Sequence, residues 1–195
     1  MPGSPSPSAA VPGAPSWSAD RLGRPDADRL VVFIHGGFWR ARFGPETTAP
    51  LAQACAAGLG AWVWNLEYPR VGMDGGGWPG TALAVAAAVG AARQAACGRS
   101  LALVGHSAGG HLALWAAREH RPALVVSLAG VTDLEAAARA GTGQGAVPAF
   151  LGAEPDTAPA IYAEASPIRR LPLGVPTVLI HGDADGNVPI AQSRA

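Results

Sequence analysis

The stretch from Leu101 to Trp115 constrains the fold more than any other part of this sequence. Leu101, Ala102, Leu103 and Val104 form a short continuous apolar run, the pattern of a strand buried on both faces of a parallel sheet. Gly105-His106-Ser107-Ala108-Gly109 follows and reads G-x-S-x-G, and Leu112, Leu114 and Trp115 then suit a helix from Ala108 to Glu119. A strand, a tight turn and a helix with serine at the apex make a nucleophile elbow, which pushes Oγ out at the carboxyl end of the strand. Small residues must flank the serine, because the turn is strained and the helix packs close to the strand. Ser107 also precedes a helix N-terminus, where free N–H groups and the dipole favour developing negative charge. The plain alternative is a Gly-rich turn without chemistry, since five-residue matches arise by chance. A clean strand before it and a clean helix after it favour the elbow.

A second strand, Leu30 to Ile34, runs straight into His35-Gly36-Gly37-Phe38-Trp39. Paired glycines directly after a strand let the backbone turn and leave N–H groups facing outward. An oxyanion hole needs such donors, fixed where charge develops and unobstructed by side chains. An ordinary Gly-Gly turn is the bland reading, and the serine elbow further along favours the other. His35 reads as a residue that hydrogen-bonds the loop rather than one that moves a proton.

Further strands are expected at Ala61–Leu66, Ala123–Leu128 and Val175–Ile180. Helices are expected from Thr47 or Thr48 to about Gly58, with Pro50 in the first turn, from Thr81 to Cys97, and over Asp133–Ala140. Gly141 to Pro159, rich in Gly and Pro, reads as a loop or cap over a site. Strands alternating with helices predict an α/β fold: a mostly parallel sheet of about five strands with helices on both faces. Sites in such sheets lie at the carboxyl ends of the strands, where the Gly36–Gly37 loop, Ser107 and Asp185 all fall. One motif is a decoy. Gly75 to Gly80 matches G-x-G-x-x-G, but the loop is long, Pro79 removes an N–H, and Ser100 stands where a ribose-binding acid belongs.

Composition narrows the function classes. With 14 basic and 14 acidic residues the chain has no net charge, which offers nothing to nucleic acid. Every basic residue is Arg, which together with the Ala, Gly and Pro excess reads as codon bias. No apolar run is long enough to span a membrane. Residues 1–28 are expected to form a disordered Pro/Ser/Ala-rich tail without the basic and apolar blocks of an export signal, and 29–195 the folded domain. Cys55 and Cys97 fall in expected helices and read as reduced thiols, which with the missing signal predicts a cytoplasmic protein.

The motifs H-G-G-F-W, G-H-S-A-G-G-H-L and H-G-D-A-D-G-N-V-P, in this order, resemble the α/β-hydrolase superfamily over about Leu30 to Ala195. The first two look most like its arylformamidase (kynurenine formamidase)-like and carboxylesterase branch. The resemblance implies Ser107 as nucleophile and Asp185 as the acid of the triad, with Asp183 and Asp133 as weaker candidates. It implies an oxyanion hole from the backbone of Gly36, Gly37, Phe38 and Ala108. A small-molecule ester or amide is the implied substrate, with an acyl-enzyme intermediate and no cofactor or metal; oligomeric state is left open.

The family order is Ser, Asp, His, yet no His follows Asp185. The chain therefore reads as C-terminally incomplete, lacking terminal strands at both ends, and a poor catalyst as it stands. A non-catalytic fragment or hydrolase-shaped binding protein is the alternative. Among the histidines present, His106 is expected to point away from substrate, while His35 and His181 belong to loop-shaping motifs. His111 lies one turn beyond Ser107, and His120 at the far helix end. The strands at Trp62–Leu66 and Thr177–Ile180 are expected to be open, aggregation-prone sheet edges.

Overall fold

A computed structural model describes residues 16–194. Its strands are β1 (Ser18–Leu22), β2 (Arg29–Ile34), β3 (Trp62–Glu67), β4 (Ser100–His106), β5 (Leu124–Leu128) and β6 (Thr177–Ile180). They form one sheet in the order β1-β3-β2-β4-β5-β6. All neighbours run parallel except β1, which pairs antiparallel with β3 in the register Ser18 to Glu67 through Leu22 to Val63. The helices are α1 (Ala49–Leu59), α2 (Gly80–Ala96), α3 (Ala108–His120), α4 (Leu134–Arg139), α5 (Ala146–Leu151), α6 (Pro159–Ala165) and α7 (Ala191–Arg194).

Side-chain alternation in β2 assigns the two faces. Leu30, Val32 and Ile34 enter the larger core with Trp62, Trp64 and Leu66 of β3 and the inward sides of α2 and α3. Val31 and Phe33 point the other way and meet Val63 and Ala52, under α1. A strand covered on both sides has no position to spare for a polar residue, which is why β2 reads as an unbroken apolar run. The Ala-rich stripe of α2 (Ala82, Ala88, Ala92) is fully buried, since small side chains let it lie close against its neighbours. On the α1 side the cover thins toward β6: Ala102, Val104 and Val126 are half-buried and Val178 is 44% exposed.

Three expectations need correction. The 1–28 tail is not disordered throughout, because β1 and the turn after it fold onto the sheet; the rest of that expectation, residues 1–15, lies outside the described residues. β1 has no apolar alternation, its residues being exposed or half-buried; it is held by the edge of β3, with only Ala19 and Leu22 packed against the cores. The sheet accordingly has six strands, and the β3 edge expected to be open is closed by β1, with Arg21 over the Trp64 ring at 4.6 Å. The Gly141–Pro159 segment is not all loop: α5 lies within it, nucleated where buried Val147, Phe150 and Leu151 reach the core. At the far edge, β6 leaves Leu179 and Ile180 41% and 56% exposed.

Candidate active site

Strand β4 delivers Ser107 at the carboxyl edge of the sheet, at φ 53° and ψ −118°, a backbone conformation that side-chain-bearing residues rarely adopt. Close packing holds it there. A Cβ on Gly109 would lie 2.0 Å from the Ile34 carbonyl oxygen, and one on Gly105 would lie 2.2 Å from that of Gly109. The Ser107 N–H donates to the Leu128 carbonyl oxygen at 2.8 Å, tying the elbow to β5. The G-x-S-x-G glycines are therefore demanded by backbone contact on both sides.

The loop after β2 is strained in the same sense: Gly37 has φ 110°, and Phe38 and Trp39 both have φ 55°. Two consecutive side-chain-bearing residues in the left-handed region cost about 1–3 kcal/mol each, and a buried network offsets that cost. The Trp39 indole stacks on Phe150 at 4.7 Å and donates to His111 Nδ1 at 3.3 Å. The Trp39 carbonyl accepts from the Val71 N–H at 2.9 Å. Among the described residues the N–H groups of Gly37, Phe38 and Ala108 donate to no protein acceptor. Such donors can receive an oxyanion.

His35 anchors this loop. Its Nδ1 donates to the Gly36 carbonyl oxygen at 2.7 Å and its Nε2 accepts from Arg70 Nη1 at 2.9 Å, so both ring nitrogens are used by the neutral form. The ring stacks on Tyr68 at 4.3 Å, and the Tyr68 hydroxyl donates to the His35 carbonyl oxygen. Arg70 is in turn held by Glu67 at 2.6 Å. Burial lowers the His35 pKa to about 4, with the Arg70 charge adding to the effect. His111 is sealed in the same way: Nε2 donates to the Ala165 carbonyl oxygen at 2.9 Å, Nδ1 accepts from Trp39, and burial brings its pKa to about 4. Neither can take a proton from Ser107.

Asp185 follows β6. Its Oδ1 accepts from the N–H groups of Asn187 (2.8 Å) and Val188 (3.0 Å), and these bonds hold its carboxyl below the usual range. Oδ2 lies 3.7 Å from His181 Nε2. That histidine is engaged on both sides, with Nε2 bonded to the Val188 carbonyl oxygen (2.8 Å) and Nδ1 to Ser193 Oγ (2.7 Å). Through these two bonds His181 ties Ser193 to the backbone at Val188, next to the Asp185 turn. Asp133 caps α4, accepting from the Ala136 N–H at 3.0 Å, and Asp183 is exposed away from the pocket.

A pocket of about 240 Å³ gathers Gly36, Gly37, Phe38, Ser107 and Asp185 at one edge. Phe43 and Asn187 are also among its walls, and the sequence carried no signal for either beyond their neighbourhood to known motifs. His106 also lines the pocket, contrary to the expectation that it points away. His106 is the last residue of β4, paired in register with Leu128 and on the same side of the strand as half-buried Ala102 and Val104. A Cβ on Gly36 would lie 3.0 Å from His106 Nδ1 and 3.1 Å from Ser107 Cβ, which puts imidazole and serine side by side. Desolvation lowers the His106 pKa, and the charge of Asp185 opposes it. His120 lies remote from the pocket, at the end of α3.

Gly75–Gly80 is a packing device. A Cβ on Gly76 would lie 1.8 Å from the Arg70 carbonyl oxygen, and the N–H groups of Gly77 and Trp78 are already used by Thr81 and Phe150. Among the described residues no group of three or more His, Cys, Asp or Glu is placed to hold a metal ion, and no helix is long and apolar enough to cross a membrane.

Several solved structures share this architecture. The bifunctional GH43-CE of Bacteroides eggerthii aligns with a TM-score of 0.76 at 22% identity, over 89% of this chain and 27% of its own. Carboxyl esterase 2 of the mycorrhizal fungus Tuber melanosporum aligns at 0.60 and 17% identity, over 89% of this chain and 78% of its own. An esterase/lipase from an uncultured bacterium aligns at 0.62 and 20% identity, over 93% and 72%. This chain thus spans about a quarter of the first and about three quarters of the other two. No curated protein matches the sequence. The family model BD-FAE matches residues 23–195, which hold the Gly36–Gly37 loop, the Ser107 elbow and the Asp185 turn together, and the chain, with an α/β-hydrolase fold, belongs to the BD-FAE family.

Proposed function

We propose that the protein is a serine hydrolase of carboxylic esters or amides of small molecules, working through an acyl-enzyme. The observation that carries this reading is the convergence of a strained Ser107, unpaired N–H groups and Asp185 on one pocket. Ser107 Oγ attacks the substrate carbonyl carbon while its proton passes to a base. The tetrahedral oxyanion accepts hydrogen bonds from the N–H groups of Ala108 and the Gly37–Phe38 loop, with Gly36 shaping the turn. Collapse of the intermediate expels the alcohol or amine with that proton, and water then releases the acid from Ser107. His106 is the histidine on the pocket wall and is the group to test as the base; its lowered pKa keeps it neutral and able to accept.

Esterases among the structural relatives support ester hydrolysis, and the H-G-G-F-W and G-H-S-A-G motifs support an arylformamidase-like substrate range. The free thiols of Cys55 and Cys97 accord with work in the reducing cytosol.

Hydrolysis of p-nitrophenyl acetate by the protein and by its Ser107→Ala variant tests the reading. Turnover is expected to vanish in the variant, and undiminished turnover means the elbow is not catalytic. A second reading, a hydrolase-shaped binding protein, is favoured by the fact that among the described residues no imidazole is hydrogen-bonded to either Ser107 or Asp185. Ligand binding without turnover in the unmutated protein would select it.

A further inference from the structure

A second cavity, of about 400 Å³, opens beside the nucleophile pocket and shares Phe38, Phe43 and Asn187 with it. Its wall carries two guanidinium groups, Arg40 and Arg42, and no acidic side chain. Among the described residues neither arginine has a carboxylate partner within 4.0 Å.

The two arginines do different work. Arg40 Nη2 donates to the carbonyl oxygens of Gly143 (2.8 Å) and Gln144 (3.0 Å), so it pins the turn before α5 as the far wall. Arg42 makes no hydrogen bond among the described residues. Its guanidinium carbon lies 4.5 Å from the centre of the Phe43 ring. Phe43 in turn packs on the oxyanion loop: a Cβ on Gly37 would lie 2.3 Å from Phe43 Cβ. The Phe43 side chain therefore lies against both the Arg42 guanidinium and Gly37 of the loop that faces Ser107. Stacking orients a guanidinium while leaving its N–H edge free, and that edge matches a carboxylate in a two-pronged arrangement.

We propose that this outer cavity is a subsite for an anionic group on the substrate, a carboxylate, with Arg42 as the specificity-determining residue. The inference rests on the ester-hydrolase reading and deepens it: the substrate is an ester or amide that bears a carboxylate apart from the bond cleaved. Because the cavity is open, the contribution is a preference that salt weakens rather than an absolute requirement.

The experiment compares two near-isosteric probes, one anionic and one neutral, para-acetoxyphenylacetate and para-acetoxyphenylacetamide. Their binding is measured by calorimetry or NMR titration on the Ser107→Ala variant, so that no turnover is needed. The carboxylate is expected to bind about tenfold more tightly than the amide. That preference is expected to fall to about twofold or less when Arg42→Gln is added, and to shrink in about 0.5 M salt. Equal affinities, binding of neither probe, or a preference that survives Arg42→Gln each overturn the subsite. Hydrolysis of p-nitrophenyl acetate by the unmutated protein, a neutral ester, reports separately on the hydrolase reading.

Discussion

The two arms of the candidate site are held in opposite ways. The arm that carries Ser107, the nucleophile arm of the proposed function, is built from the middle of the sheet, where β4 lies between β2 and β5 and the turns are clamped by buried backbone contacts. The acid arm hangs from the edge strand β6, whose residues are all exposed, and Asp185 is held mainly by N–H groups of its own turn. Strain is affordable in the first arm because the surroundings over-determine it, and none is needed in the second. The arm that carries Ser107 thus rests on global packing, and the arm that carries Asp185 on a single turn.

The sharpest way to test that division is Asp185→Asn. If the carboxylate acts in catalysis, kcat falls about 10⁴-fold with the fold intact; if it only shapes its turn, turnover barely changes while the loop loosens. Esterase kinetics beside thermal melting separates the two. Gly109→Ala tests the clamped arm. Its methyl group has no room against the Ile34 and His35 carbonyls, so a loss of stability beyond about 3 kcal/mol is expected, read as a lower denaturation midpoint.

Acid should also strike the nucleophile arm first. His35 and His111 titrate near 4 in the fold against 6.5 in the unfolded chain. Between those values the unfolded chain binds more protons, so their stabilisation is complete above about pH 6.5 and is lost as pH falls toward 4. The loss is on the order of 3 kcal/mol per histidine. Asp185, with a lowered pKa, keeps its contribution at neutral pH and loses it only as pH falls below the ordinary carboxylate range. Urea melts across pH 4 to 7 should be steep in that window for the protein and shallower for His111→Gln. The smallest effect belongs to Gly182→Ala in the acid arm, where nothing lies within 4 Å of the new methyl group. A change within about 0.5 kcal/mol is expected, and a large loss would show that the acid arm is as tightly packed as the elbow.

Much of this was legible from local pattern. The five parallel strands, the elbow, the Gly-Gly loop and the acid turn each announce themselves within about ten residues, because apolar runs and glycine needs are local signals. β1 escaped notice because an edge strand with exposed and half-buried residues has no periodicity to read, and its partner β3 lies some 40 residues away in the chain. α5 escaped for a related reason, being six residues long with Pro148 inside it and stabilised by the core rather than by propensity. At the candidate site, Ser107 and Asp185 could be proposed from their motifs, whereas the place of His106 on the pocket wall could not, because it depends on the loop after β2 packing beside it.

By itself, then, the sequence determined the class of fold, the strained turns and the residue types that meet at the sheet's carboxyl edge, since periodicity and glycine placement are written residue by residue. Only the tertiary structure decided which histidines are free. His35 and His111 are kept neutral by burial, and their ring nitrogens are taken up by partners 35 and 54 residues away along the chain, Arg70 and the Ala165 carbonyl; no local pattern encodes a hydrogen bond between distant elements. The same holds for the unpaired Arg42 beside Phe43: a charge without a partner is defined by everything that fails to reach it, which the folded chain alone displays.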